Sequence, residues 1–156
     1  MVAVLSERDL REIYEVRVVL ESLAARLFAR NATRAQFLEL SAAAEALYEV
    51  YDDYAIAPFL SAKARFYEAL FAGAGNRVAA SMLRIIHTKV SQLRAASLAN
   101  NNRAQRSIAE IRKLIGALEA RDEELAHQLT VEHLENASAA AMLALHRRDG
   151  AEKPAA

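Results

Sequence analysis

The stretch SERDLREIYEVRVVLESLAARLFA, Ser6 to Ala29, decides the fold class. Ser6 followed three residues later by Asp9 is a capping-box spacing, in which the serine oxygen and the acid each satisfy an orphan amide of a helix start. Beyond it, Leu10, Ile13, Ala24 and Phe28 return at helical spacing, with no glycine or proline to interrupt them. The spacing predicts a helix over Glu7–Ala29 with Arg11, Glu12, Glu15, Ser22 and Arg26 on the opposite side.

The rest of the chain carries the same signals. Thr33 with Gln36 opens a second helix to about Tyr51, which Asp52-Asp53 should break. Pro58 suits the first turn of a third helix to Ala72, with Gly73, Gly75 and Asn76 as its stop. A fourth helix is expected over Arg77–Ala99, a fifth over Arg103–Ala120 after the Asn100-Asn101-Asn102 turn, and a sixth from an Asp122 cap to Arg148, stopped by Gly150. Short connections imply antiparallel neighbours, so the expected architecture is an all-α antiparallel helical bundle of six to seven helices. Residues 1–6 read as the end of a linker, 7–148 as one helical domain, and 149–156 as a disordered tail.

Composition agrees. Alanine fills 35 of 156 positions, while glycine and proline together number only six, too few to punctuate many short strands. Cysteine is absent, which excludes disulfides, thiolate metal sites and a cysteine nucleophile. Twenty basic residues balance twenty acidic ones, so no global field draws the chain to nucleic acid or an anionic membrane. Neither a targeting segment nor a membrane span is visible, and a cytoplasmic protein is expected. There is no Gly-rich phosphate loop, nucleophile elbow or HExxH, so the chain reads as a non-enzyme.

The informative residues are polar ones on apolar faces. Arg17 projects through the apolar side of the first helix, and Lys63 lies at the centre of the third helix's arc of Phe59, Leu60, Phe66, Tyr67 and Leu70. The inward face of the last helix, read as Leu125, Leu129, Ala140 and Leu143, also carries His133 and Asn136. An unpaired buried cation is too costly to persist. Each residue has a plain reading: Arg17 paired with Glu21 one turn on, Lys63 extended to the bundle rim, Tyr67 and His133 as hydrogen-bonded core. Together they have another, as convergent polar groups lining a small-ligand pocket. The run Arg77–Lys113 holds eight basic residues against the single acid Glu110. It forms no single stripe and reads as a solvated face. Val18 and Val19 on the first helix, with Val131, Leu134, Met142 and Leu145 on the last, suit either a dimer interface or burial within the monomer.

Three segments carry a family resemblance, EVRVVLESLAARLFAR (Glu15–Arg30), RFYEALFAGAGN (Arg65–Asn76) and RDEELAHQLTVEHLENA (Arg121–Ala137), and between them IAEIRKLIGALEARD (Ile108–Asp122) stands in the place of an EH-containing helix. In order and spacing they resemble the FCD domain, the helical effector-binding and dimerisation domain of GntR-type bacterial transcription regulators of the FadR subfamily. Arg17, Phe66, Asn76, Asp122 and His133 are the best anchors. The resemblance implies a homodimer whose DNA contact is made by a winged helix-turn-helix outside this chain. Metal-binding members carry an Asp-x-x-Phe-His pattern and two further histidines. Here Lys63 and Tyr67 stand at the first pair and Ile111 at the second His, so only His133 remains. No metal and no cofactor are therefore expected. By the same comparison, Lys63 takes over the positive charge of the ion, with Arg17, Tyr67, His133 and Asn136 completing a site for a small carboxylate effector. A helical enzyme resembling chorismate mutases, and a purely structural dimerisation bundle, are the alternatives.

Overall fold

The computed structural model describes residues 5–52 and 55–151. Its elements are α1 (Glu7–Asn31), α2 (Arg34–Asp52), α3 (Ile56–Ala74), α4 (Arg77–Leu98), α5 (Asn101–Glu119) and α6 (Glu123–Ala151), with no strand among the described residues. Connections of two or three residues join the helices, and consecutive helices from α2 onward pack on one another, whereas α1 and α2 diverge without contact. The long helices α1 and α6 lie against each other; α3 packs on α1, α4 and α5 pack on both α1 and α6, and α2 is held by α3 and α5 instead of α1.

The caps form as the sequence indicates. Ser6 Oγ accepts from the Asp9 amide while the Asp9 carboxylate accepts from the Ser6 amide. Thr33 and Gln36 make the same reciprocal pair, and Asp122 accepts from the Leu125 amide. Arg121, at φ 54°, turns its guanidinium onto the carbonyls of Ala29 and Ala32, so the start of α6 closes the end of α1.

Two boundary expectations and two face assignments need correction. Gly150 does not stop the last helix, which continues to Ala151. Gly73 lies inside α3 rather than ending it; the stop is Gly75, left-handed at φ 73°, and Asn76 belongs to the next helix, capping the Ala79 amide. The inward face of α6 is Ala126, Thr130, His133, Leu134, Ala141 and Leu145, about one residue round from the face expected, leaving Leu125 and Leu143 exposed. Ser22, assigned to the polar side of α1, is also buried. Most of the expected linker over residues 1–6, the Asp53 break and most of the tail lie outside the described residues.

Gly73 has a packing role. A Cβ there would overlap the ring of Phe28, itself fully buried on α1. Gly73→Ala should therefore cost about 1–3 kcal/mol by overpacking, read as a lower urea midpoint at unchanged slope. Gly116→Ala, where a Cβ meets open space, is the control and should stabilise slightly.

Two apolar clusters hold the bundle. The larger joins Phe28, Leu40, Leu47, Phe59, Phe66, Leu70 and Ile111; the smaller joins Leu10, Tyr14, Val90, Leu93, Ala141 and Leu145. A layer of buried polar groups occupies their junction.

Candidate functional site: a buried cation cluster

Arg17 and Glu21 lie one turn apart on α1, each side chain only 1% exposed, with Arg17 Nε donating to Glu21 Oε1 at 2.7 Å. His87 Nε2 on α4 donates to the same oxygen at 2.7 Å. Burial opposes the charge on Glu21, yet Arg17 and His87 overcome it and hold its pKa well below the usual carboxylate range. Burial likewise opposes Arg17, and Glu21 more than compensates, raising it above its usual value. The i, i+4 pairing is the plain reading of Arg17, and it leaves a remainder: Arg17 Nη1 is buried without a hydrogen-bond partner.

Lys63 stays inside the bundle, 4% exposed, and does not reach the rim. Its Nζ meets Ser107 Oγ of α5 at 2.6 Å, and among the described residues no carboxylate pairs with it. Tyr67 stands one turn further along α3 and donates its hydroxyl to His133 Nε2 at 3.1 Å. His133 Nδ1–H in turn donates to Glu110 on α5 at 2.5 Å, which fixes the neutral tautomer. Burial pushes the Tyr67 hydroxyl up to about 12 and the His133 imidazole down to about 4. Glu110, burial notwithstanding, is held at about 2 by His133 and Arg103. Asn136 is different from the other four expected residues. It is exposed and donates to Glu110 Oε1 at 2.9 Å, so it braces the carboxylate from outside instead of entering the interior.

Two cations of the site were not singled out in the sequence. Arg103 forks onto Glu110 at 3.0 and 3.1 Å. Arg94 of α4 lies over the Tyr67 ring, 5.4 Å from its centroid, with Nη2 buried and unpartnered. Both belong to the basic run Arg77–Lys113, which is thus not wholly a solvated face. Eight cations against one acid was the available signal; the buried register of Arg94 depends on how α4 sits against α3.

Arg17, Lys63, Tyr67, Arg94, Arg103 and His133, with Tyr14, Ser97, Leu98 and Ala137, enclose a cavity of about 10 Å³. That is room for roughly one water molecule. Tyr67 and Arg94 also border a groove of about 380 Å³ between α3 and α4, lined further by Leu60, Ala64, Phe71, His87 and Ser91. Arg94 thus stands between the interior and the surface.

The electrostatic balance is uneven. Glu21 answers Arg17 and Glu110 answers Arg103. Burial, then Arg94, Arg103 and Arg17, drives Lys63 well below the ordinary lysine pKa. Arg94 is left without a carboxylate among the described residues. The interior is one negative charge short.

A metal does not fit. Ile111 is buried in the larger apolar cluster, both His133 nitrogens are engaged, and among the described residues no group of three or more His, Cys, Asp or Glu converges.

His133 and Glu110 give the domain an acid limit. His133 falls from 6.5 to about 4 on folding, so between those values the unfolded chain binds a proton that the fold refuses, and stability falls with pH. Glu110, lowered from 4.5 to about 2, extends the loss to lower pH. Chemical denaturation should show stability declining by a few kcal/mol from about pH 6.5 to 4; in His133→Gln that part of the decline should flatten.

The profile of the FCD domain matches residues 12–136. The chain belongs to the FCD family. Its fold is similar to that of E. coli McbR/YncC, with a TM-score of 0.80 at 18% identity over 93% of this chain and 71% of that one. It is also similar to the metal-free FCD domain of TM0439, a protein assigned as a transcriptional regulator, with a TM-score of 0.75 at 22% identity over 93% of this chain and 99% of that one. No curated protein sequence gives a significant match. Among the described residues no helix is long and apolar enough to cross a membrane.

Proposed function

We propose that this chain is the effector-sensing and dimerisation domain of a GntR-type transcriptional regulator, binding a small organic acid without a metal. The observation that carries the reading is the uncompensated charge. Arg17 Nη1 and Arg94 Nη2 are buried, unpartnered and border one cavity. A buried donor without a partner costs about 1–3 kcal/mol, and a carboxylate would satisfy both guanidinium groups with charge-assisted bonds. In this reading Lys63, Tyr67 and His133 face the ligand, Asn136 acts through Glu110, and entry is from the α3/α4 groove as Arg94 withdraws. An acid larger than a water needs that opening, so binding and rearrangement of α4 are coupled. Coupling of this kind would bias the arrangement of winged-helix domains that bind DNA in the cytoplasm and lie outside this sequence.

Dimerisation has support from two exposed stripes at helical spacing, Val16, Val19 and Leu23 on α1 and Val78, Met82 and Ile85 on the adjoining α4. The stripe expected on the last helix does not serve, since Leu134 and Leu145 are buried in the monomer.

The test is calorimetry with small carboxylates beside their uncharged amides, in protein treated with chelator. Binding of at least one acid, none of the amide, and no response to chelator are expected. Failure of every small acid, or affinity that follows added zinc or nickel, would overturn the proposal.

A further inference from the structure

Lys63 is an expensive residue for its place. A leucine would pack among Phe59, Phe66 and Leu70 with no polar atom to satisfy, whereas Lys63 brings an amine to a cavity wall where its one hydrogen-bond partner among the described residues is the Ser107 hydroxyl at 2.6 Å. The groups around it are Arg17 and Tyr14 from α1, Tyr67 from α3, Arg94 from α4, Arg103 and Glu110 from α5 and His133 from α6. Three are guanidinium groups; Glu110, the carboxylate that pulls the other way, is already taken by Arg103 and His133. Desolvation and like charge together favour the neutral amine, which has a lone pair and is a nucleophile. The same cavity holds the two unpartnered guanidinium nitrogens. An acid held there by its carboxylate would bring the adjoining carbon to the amine.

We propose that Lys63 captures a carbonyl-bearing acid, of the 2-oxo acid or aldehyde-acid class, as a reversible imine, so that the sensor distinguishes oxo acids from hydroxy acids by covalent chemistry. This deepens the carboxylate-site reading and rests on it. The Nζ lone pair attacks the carbonyl carbon, and the C=O π pair moves onto oxygen. The oxygen then leaves as water with both amine protons, and the C=N bond forms; nothing is oxidised or reduced. The Ser107 hydroxyl is placed to relay the first proton from nitrogen to oxygen.

The experiment uses the 156-residue chain with pyruvate or glyoxylate, followed by borohydride, proteolysis and mass spectrometry. The reduced adduct is expected on the peptide carrying Lys63, about tenfold or more above the exposed Lys89 and Lys113. Lactate should compete with labelling and, lacking a carbonyl, leave no adduct of its own. Lys63→Met should lose the adduct; if that variant does not fold, protection of wild-type Lys63 by lactate carries the same test. Thermal shifts recorded without borohydride separate the two ideas. Pyruvate and lactate stabilising alike, with no selective adduct at Lys63, would overturn the imine and leave the carboxylate site standing. No shift and no adduct with any acid would overturn both.

Discussion

Glu21→Ala is expected to destabilise the domain by about 3–5 kcal/mol, the usual cost of removing one partner from a buried ion pair. Both side chains are 1% exposed, and Glu21 Oε1 accepts from Arg17 and His87 at 2.7 Å each. Removing the carboxylate leaves a guanidinium that water cannot reach. Against a typical total of about 5–15 kcal/mol, that is a large share of the stability of the domain. Urea denaturation followed by far-UV circular dichroism would measure it. Replacing the pair together, Arg17→Met with Glu21→Leu, should come out near neutral, because well-packed apolar residues avoid the desolvation cost altogether. A loss below about 1 kcal/mol in the single variant would mean that the pair is not buried as described.

Arg94→Met is expected to move stability and binding in opposite directions. Arg94 has a buried, unpartnered Nη2 and no carboxylate among the described residues, and burial lowers its pKa. Methionine fills much of the same volume without a charge or an orphaned donor, and should stabilise the empty domain by about 1–3 kcal/mol. The same change should weaken an acid effector by about 1.5–3 kcal/mol, or roughly ten- to a hundredfold, because a charge-assisted bond is lost. A residue that costs stability when the site is empty and restores it when the site is filled is a ligand-binding residue. Paired denaturation and calorimetry on one variant would read both signs. Reduced stability with unchanged affinity would make Arg94 a structural residue.

Much of the fold was legible because helix signals are local. Ser6 with Asp9, Thr33 with Gln36, and Asp122 all cap as their spacing implies. Errors came where a glycine has two uses: Gly73 answers the ring of Phe28, a contact made across the bundle, and Gly150 passes through a helix that local signals would end. The inner site was legible in part. Arg17, Lys63, Tyr67 and His133 are buried together as the apolar periodicity implies, whereas Asn136 falls one step outside because α6 is rotated relative to the face assumed. Arg94, Arg103, Ser107 and Glu110 were hidden for a different reason. Isolated polar residues on a mixed helix face reveal their side only through tertiary packing, and a basic run is most often solvated.

The central claim is that a metal-free, positively unbalanced interior takes a small carboxylate. It is tested most directly by titrating small carboxylic acids into chelator-treated protein by calorimetry, with metal content measured on the same sample. The account predicts saturable binding of about one acid per chain, no stoichiometric metal, and a roughly ten- to hundredfold weakening of that binding in Arg94→Met. Binding that appears only when zinc or nickel is restored, or equal binding of acids and their neutral amides, would contradict it.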